Sequence, residues 1–133
     1  MSQENVEIVG RLLSDDLPAL YRMIGTLGDF VWDMTTFEGW PDQGEFRGFA
    51  AFVGFLRRWV EPYAEWRIEI EDIRDPGGER VVAVLRQEGR LHDSESWIEM
   101  RYGIVYTLNE GTVRRASVYA TPEQALEAAG LRA

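Results

Sequence analysis

Apolar residues between positions 49 and 63 are separated by steps of three, one and three residues, which is the spacing of one wide helical face. Pro62 disfavours a helical residue before it, so we predict that this helix ends there. Two shorter helical patterns precede it, the first capped by Ser2 and the second by Asp15 or Asp16. The apolar positions of the long helix are Phe49, Phe52, Val53, Leu56, Trp59, Val60 and Tyr63.

From Trp66 onward the period of the pattern changes to two, which is typical of a strand with one buried face. In WRIEIEDI, Trp66, Ile68 and Ile70 alternate with charged residues. The turn sequences PGGE and NEG connect this run with RVVAVLRQEG, WIEMRYGIVYTL and TVRRASVYA, and together they predict an antiparallel meander. DFVWDM is a shorter strand ahead of the long helix. The capping-box sequence TPEQ begins a last short helix, for which Gly130 is the expected end.

This order of elements predicts an α+β fold, with helices gathered on one face of four long antiparallel strands. The chain has 133 residues, which fit a single domain spanning residues 1–133. Hydrophobic residues make up 45% of the chain and aromatic residues 12%, enough to form one real core.

The charge of the chain and the residue types it lacks exclude several classes of function. A formal net charge of −9 would repel a phosphate backbone, so we expect no nucleic-acid partner. The chain has no cysteine and one histidine, His92, so we expect no metal, and no motif indicates a cofactor. MSQENVEIVG is unlike a secretion signal and no apolar run is long enough to span a membrane. We therefore expect a cytoplasmic protein without a membrane partner.

Several stretches resemble the SnoaL-like branch of the nuclear transport factor two / ketosteroid isomerase superfamily: ENVEIVGRLL, DFVWDM, EFRGFAAFVGFLRRW, RVVAVLRQEGR and YTLNEGTVRRASVYATPEQALEAAGL. The resemblance covers nearly the whole chain. It implies a cone-shaped, curved antiparallel β-sheet wrapped around N-terminal helices, with a short C-terminal helix and an apolar pocket at the wide end. Members include isomerases, polyketide cyclases, epoxide hydrolases and binding domains, so the fold alone selects no chemistry.

Asp33 falls where the general base of ketosteroid isomerase would fall, so the resemblance makes it the candidate catalytic residue. The two oxyanion donors of that enzyme correspond to Leu12 or Leu13 and to Ile104, none of which can donate a hydrogen bond. Loss of one such donor typically costs about two to three orders of magnitude in rate. We therefore expect no steroid isomerase mechanism. The alternative is that Asp33 ends a strand and hydrogen-bonds the TTFEGW loop.

Candidate ligand-binding residues follow from the inward face of the strands. If Ile104 points inward, Tyr102 and Tyr106 share its face by the period of two, and the family register adds Gln87. Trp40, in a loop rich in glycine and proline, is a candidate pocket lip. The remaining candidates are less favoured: Glu99 and Arg101 form an acid–base pair on the outward face, and His92 lies in a polar connection.

Two hypotheses of function remain open. The first is a SnoaL-like domain that binds a small, mostly apolar molecule in the cone pocket. The second is a cofactor-free isomerase, cyclase or hydratase that uses Asp33 as general base. We also expect a homodimer that forms through the outward face of the sheet, where Val82, Val84 and Tyr119 accompany the charged residues.

Overall fold

The computed structural model describes residues 6–7, 30–40, 44–110 and 112–131. It confirms the predicted order of elements from residue 30 onward. The two helices predicted before residue 30 lie outside the described residues, except that Val6 and Glu7 are helical. The helices are α1 (Phe49–Val60) and α2 (Pro122–Ala128), and the strands are β1 (Val31–Asp33), β2 (Glu45–Arg47), β3 (Tyr63–Gly77), β4 (Arg80–Leu91), β5 (Trp97–Asn109) and β6 (Thr112–Tyr119).

The six strands form one curved, unclosed sheet in the order β2-β1-β6-β5-β4-β3. Strands β3 to β6 form the predicted meander, in which each strand is antiparallel to the next. The sheet predicted as antiparallel is mixed, because β1 runs parallel to β6 whereas the other pairings are antiparallel. The meander leaves one edge of β6 free, and β1 pairs with that edge although some eighty residues separate the two strands. The chain therefore folds as an α+β cone with a mixed sheet.

The period of two in the long strands correctly identifies which side chains point inward. On β3, Trp66, Ile68 and Ile70 are half-buried and the charged residues between them are exposed. On β4, Val81 lies opposite Tyr106 of β5 and is fully buried. We call the face of the sheet that packs against α1 the interior face, because the largest apolar cluster lies between the two. Its fully buried or nearly buried strand residues include Val81, Ala83, Leu85, Tyr102, Ile104, Tyr106, Val113, Ala116 and Val118.

The opposite face, here called the outer face, is partly covered by α2. Val82 and Val105 pack there against Ala125 and Leu126 of the helix. Gly103 of β5 permits this contact, because a Cβ at that position would collide with the Cβ of Ala125. Val82 and Val84 are buried, so the expectation that they are available to a partner is wrong.

Helix α2 has the ends that its sequence predicts. The Thr121 side chain accepts a hydrogen bond from the Gln124 backbone N–H at 3.2 Å, and Pro122 occupies the first turn. At the other end Gly130 has a φ of 82°, and Leu131 N–H donates to the carbonyl of Leu126 at 2.8 Å. The reciprocal half of the capping box does not form within the described chain, because the Gln124 side-chain oxygen is buried without a partner.

Candidate functional site

A buried hydrogen-bonded group of three side chains lies on the interior face. Gln87 is 2% exposed, and its Oε1 accepts from the indole N–H of Trp59 at 2.7 Å. The same oxygen accepts from the hydroxyl of Tyr102 at 3.1 Å. Both lone pairs of the amide oxygen are therefore used, and the two donors come from α1 and β5 while the acceptor lies on β4. The predicted inward positions of Gln87 and Tyr102 are confirmed, whereas their link to Trp59 was not predicted.

Two rings of this group, Trp59 and Tyr102, pack with Phe37 and Trp40, and we call these four residues the aromatic cluster. The ring centroids of Trp40 and Trp59 are 4.6 Å apart, and those of Trp59 and Tyr102 are 5.8 Å apart. Phe37 meets Trp59 edge-on at 5.9 Å. Such tilted and edge-to-face contacts are favourable for aromatic pairs at these distances. Trp40 is half-buried and packs against the interior cluster from its margin.

Two further predicted binding residues lie in the same interior cluster. Ile104 is 1% exposed and Tyr106 is 4% exposed. Burial raises the pKa of Tyr102 and of Tyr106 above the usual range of tyrosine. Both hydroxyls therefore remain protonated at neutral pH, so they act as hydrogen-bonding groups and not as bases.

The structure places Asp33 on the outer face, away from the aromatic cluster. Trp32 packs against Phe52 and Phe55 in the interior, and adjacent residues of a strand point to opposite faces. Asp33 accordingly lies beside Ser117 of β6 in the parallel register. The expectation that its carboxylate joins the interior residues is wrong, because the pairing of β1 with β6 decides which face each residue takes.

The Asp33 carboxylate is held by local hydrogen bonds and one cation. Its Oδ1 accepts from the backbone N–H of Thr35 at 2.8 Å and from the Thr35 hydroxyl at 2.5 Å. Oδ2 lies 3.6 Å from Nη1 of Arg115. This is the loop-bonding geometry that the sequence offered as the alternative to a catalytic base. The residue is 7% exposed, so these contacts compensate the burial of its charge.

Arg115 connects Asp33 to a second carboxylate on β2. Its guanidinium contacts Glu45 at 2.5 and 2.9 Å, and Glu45 is also 3.3 Å from Arg47. Two carboxylates and two guanidiniums thus join β1, β2 and β6 in one balanced network. The partners of Arg115 could not be inferred from the sequence, because they depend on the pairing of strands that are distant along the chain.

Glu99 and Arg101 do not form a site with Asp33. Both are exposed on the outer face, where Arg86 contacts Glu99 at 3.0 Å and Arg101 contacts Glu71 at 2.6 Å. The hydrogen bond from Arg86 holds the pKa of Glu99 below its usual value. These are cross-strand ion pairs on a hydrated surface.

His92 is also exposed, and its ring nitrogen Nε2 lies 3.0 Å from the carbonyl of Glu61. Among the described residues, no three acidic or histidine side chains come close enough to hold a metal ion. Neither α1 nor α2 is long and apolar enough to cross a membrane.

A curved sheet around an aromatic interior defines an α+β cone protein, and comparison with known proteins identifies its family. The model of the SnoaL-like domain matches residues 24–116, and the chain belongs to that family. A comparison with curated proteins finds no match.

Solved structures agree on the fold at low sequence identity. TerC, which was co-crystallised with polyporic acid, has a TM-score of 0.70 at 15% identity, over 96% of this chain and 98% of its own. A hypothetical protein with a ketosteroid isomerase-like fold from Catenulispora acidiphila has a TM-score of 0.67 at 13% identity, over 94% and 93%. An LEH-like epoxide hydrolase from M. tuberculosis has a TM-score of 0.66 at 15% identity, over 95% and 89%.

Proposed function

We propose that this SnoaL-like chain binds a small, mostly apolar molecule at the aromatic cluster of the interior face. The observation that carries the proposal is the contact of four aromatic rings with one buried amide, because Gln87 hydrogen-bonds the hydroxyl of Tyr102, itself one of the four. Small-molecule sites are commonly lined in this way, with apolar side chains and a few placed polar groups. The lining favours a flat molecule with one or two polar ends.

Unused hydrogen-bond donors suggest the nature of those polar ends. The indole N–H groups of Trp32, Trp40 and Trp66 are buried and have no acceptor within the described part of the chain. Each unsatisfied buried donor costs about 1–3 kcal/mol. Because Gln87 Oε1 already accepts two hydrogen bonds, the interior face offers donors more readily than acceptors. A ligand with carbonyl or ether oxygens would complement it better than one rich in N–H groups.

Two of the similar solved structures are consistent with this class of ligand. TerC was crystallised with polyporic acid, a small organic molecule, and another neighbour is an epoxide hydrolase. At such low identities these structures share the fold, and their ligands do not transfer to this chain directly. They support a small organic molecule over a macromolecular partner.

The alternative function, a cofactor-free isomerase, cyclase or hydratase with Asp33 as general base, receives less support. Asp33 lies on the outer face, so a ligand held by Gln87 and Tyr102 would have the sheet between itself and the carboxylate. Its Oδ1 already accepts two hydrogen bonds from Thr35. A ligand at the aromatic cluster would therefore meet no carboxylate from this position.

Binding can be tested by calorimetric and thermal-shift titrations with four probes: a hydroxyanthraquinone, a steroid ketone, AMP and glucose 6-phosphate. We expect the first two to bind and to raise the melting temperature. The variant Trp40→Leu should weaken binding at least fivefold, because it removes one wall and one indole donor. The matched control is Trp97→Leu, which alters a tryptophan that is 42% exposed on the outer face. Stabilisation by the phosphate compounds alone, or equal losses in both variants, would refute the proposal.

We also propose that the chain forms a homodimer through the exposed part of the outer face. Because Val82 and Val84 are buried, the contact would consist of Trp97 and the cross-strand ion pairs of the outer face, such as Arg86–Glu99 and Arg101–Glu71. The ring of Trp97 lies 4.8 Å below the guanidinium of Arg67. Alternating charges of both signs can pair with a rotated copy of the same surface. Sedimentation at tens of micromolar should give twice the mass of the chain, and Trp97→Asp should lower it. A species of one chain's mass at that concentration argues against the dimer.

A further inference from the structure

Tyr63 lies on the interior face, although the helical spacing assigned it to the apolar face of the long helix. The structure makes Tyr63 the first residue of β3, where it lies opposite Leu91 of β4. The next pair is Glu65 with Arg90, so Ala64 is an extra residue on β3. A bulge of this kind re-aims the side chains beside it. Counting by twos along β3 would put Tyr63 on the outer face, and the bulge turns it inward.

Gly89 of β4 makes room for the ring of Tyr63. A Cβ at this glycine would collide with Cδ1 of the ring and would lie 2.6 Å from Cε1. Gly89 is two residues beyond Gln87 on the same strand, so a side chain there would point to the same interior face. The Tyr63 ring therefore lies over the backbone of Gly89, next along the strand to the hydrogen-bonded group of Gln87, Trp59 and Tyr102.

This part of the interior face is its open end. Ile98 of β5 lies opposite Gly89 and is 41% exposed, whereas Met100, opposite Gln87, is half-buried. Tyr102 comes next on the same face and is buried. Exposure thus increases along β5 away from the aromatic cluster. A ligand seated on that cluster would extend its outer end toward the ring that covers Gly89.

The hydroxyl of Tyr63 is free to bond a ligand. Tyr63 is half-buried, and its hydroxyl has no hydrogen-bond partner within the described ranges without being sealed from solvent. The hydroxyl of Tyr102, by contrast, already donates to Gln87. Burial is the main cause of the raised pKa of Tyr102, and electrostatic contributions from Tyr106 and Tyr63 add to it. Such a contribution requires that Tyr63 and Tyr102 lie close together.

We propose that the Tyr63 hydroxyl hydrogen-bonds an oxygen at the outer end of the ligand, and that Gly89 positions the ring for this contact. The inference rests on the proposed function, because it needs a ligand at the aromatic cluster. It narrows the ligand class to flat, apolar molecules that carry a hydroxyl or carbonyl oxygen at one end, since a phenol can donate or accept. A hydrocarbon of the same shape would cover the hydroxyl without bonding it.

The test compares two ligands of one shape, 2,6-dihydroxynaphthalene and naphthalene, in calorimetric titrations of the full chain at pH 7. The diol has a hydroxyl at both ends, so its orientation in the site does not matter. Tyr63→Phe should raise the Kd of the diol about fivefold, the loss expected for one neutral hydrogen bond, and that of naphthalene less than about twofold. The matched control is Tyr119→Phe, which removes the hydroxyl of another half-buried tyrosine, packed on the outer face. It should leave both Kd values unchanged.

Gly89→Ala tests the position of the ring separately from its hydroxyl. The new Cβ displaces the ring, so adding Tyr63→Phe in that background should change the Kd of the diol less than about twofold. A full fivefold effect there would overturn the role of Gly89. An unchanged diol affinity in Tyr63→Phe, or equal losses for the two ligands, would overturn the inference and leave the proposed function intact. If neither naphthalene compound nor the hydroxyanthraquinone binds the wild type, the proposed function fails and this inference fails with it.

Discussion

Asp33 shows how one side chain can terminate a strand and connect it to two others. Its oxygens accept from Thr35 in the following turn and approach Arg115 on β6, which in turn contacts Glu45 on β2. The carboxylate is nearly buried, so each of these contacts offsets part of its desolvation. Asp33 stands at the sequence position of the family's general base. Its contacts, however, are those of a residue that accepts hydrogen bonds from the following turn and approaches Arg115.

Replacement of Asp33 by Asn should therefore destabilise the fold by about 1–2 kcal/mol at pH 7, since the amide is a weaker acceptor and loses its attraction to Arg115. Urea unfolding of the wild type and the variant measures this difference. The control is Asp72→Asn, which breaks an exposed ion pair with Arg74 and should cost about 0–1 kcal/mol. Unchanged or improved stability in Asp33→Asn would contradict the structural role.

The stability effect of replacing Gln87 depends on the two donors that its side-chain oxygen accepts from. Gln87→Leu would leave the indole N–H of Trp59 and the hydroxyl of Tyr102 buried without an acceptor, at a cost of about 1–3 kcal/mol each. Tyr102→Phe removes only one donor and leaves the Gln87 oxygen bonded to Trp59, so it should cost about 0.5–1.5 kcal/mol. Urea melts should rank the glutamine variant as clearly less stable. The reverse order would show that the amide oxygen is not the centre of the group.

At the scale of elements, two glycines in different surroundings should respond in opposite directions to replacement by alanine. Gly103→Ala forces α2 away from β5, because the new Cβ would collide with the Cβ of Ala125, and should destabilise by about 1–3 kcal/mol. Gly54 lies inside α1, and its nearest neighbour to a new Cβ is the flexible end of Arg58 at 3.7 Å. Gly54→Ala should stabilise by about 0.5–1 kcal/mol through helix propensity.

Thermal and urea unfolding of both glycine variants check this pair of expectations. The double variant Gly103→Ala with Ala125→Gly removes the colliding Cβ and should recover part of the loss, with about 1 kcal/mol still lost to glycine in a helix. A Gly103→Ala protein as stable as the wild type would mean that α2 does not pack on β5 as closely as described.

At the scale of the whole molecule, the titration behaviour in alkali is unusually simple. The chain contains 14 basic residues, all of them arginine, and no cysteine. Tyrosine is therefore the side-chain type of this chain whose ordinary pKa lies near pH 10. Burial raises the pKa of Tyr102 and Tyr106 in the folded state, while the unfolded chain releases these protons near pH 10.

The sign of the effect follows from proton binding. Above pH 10 the folded state retains protons that the unfolded state has lost, so the free energy of unfolding falls as pH rises. Stability should be level up to about pH 9.5 and then fall by about 1.4 kcal/mol per pH unit for each buried tyrosine. Urea melts between pH 8 and 11 measure the slope of the unfolding free energy against pH. Tyr106→Phe should make this slope shallower by about 1.4 kcal/mol per pH unit, which is the contribution of one proton. A variant with the wild-type slope would contradict the burial of that hydroxyl.

Local patterns were sufficient to predict much of this protein. The period of two in β5 grouped Tyr102 and Tyr106 with Ile104 on one face, and the register of the resembling family added Gln87. The helical spacing around Trp59 predicted α1. Cap residues predicted both ends of α2. These predictions succeed because backbone geometry converts spacing along the chain directly into the face on which a side chain lies.

The tertiary structure alone decided where Asp33 points, what Gln87 bonds and what covers Val82. A strand of three residues has too little pattern to reveal its faces, so the parallel pairing of β1 with β6 determines that Asp33 is turned outward beside Arg115. The hydrogen bond between Trp59 and Gln87 and the covering of Val82 by α2 also depend on which distant elements pack together. Contacts between residues distant in sequence arise from packing of completed elements, and packing selects among partners that the local sequence leaves equivalent.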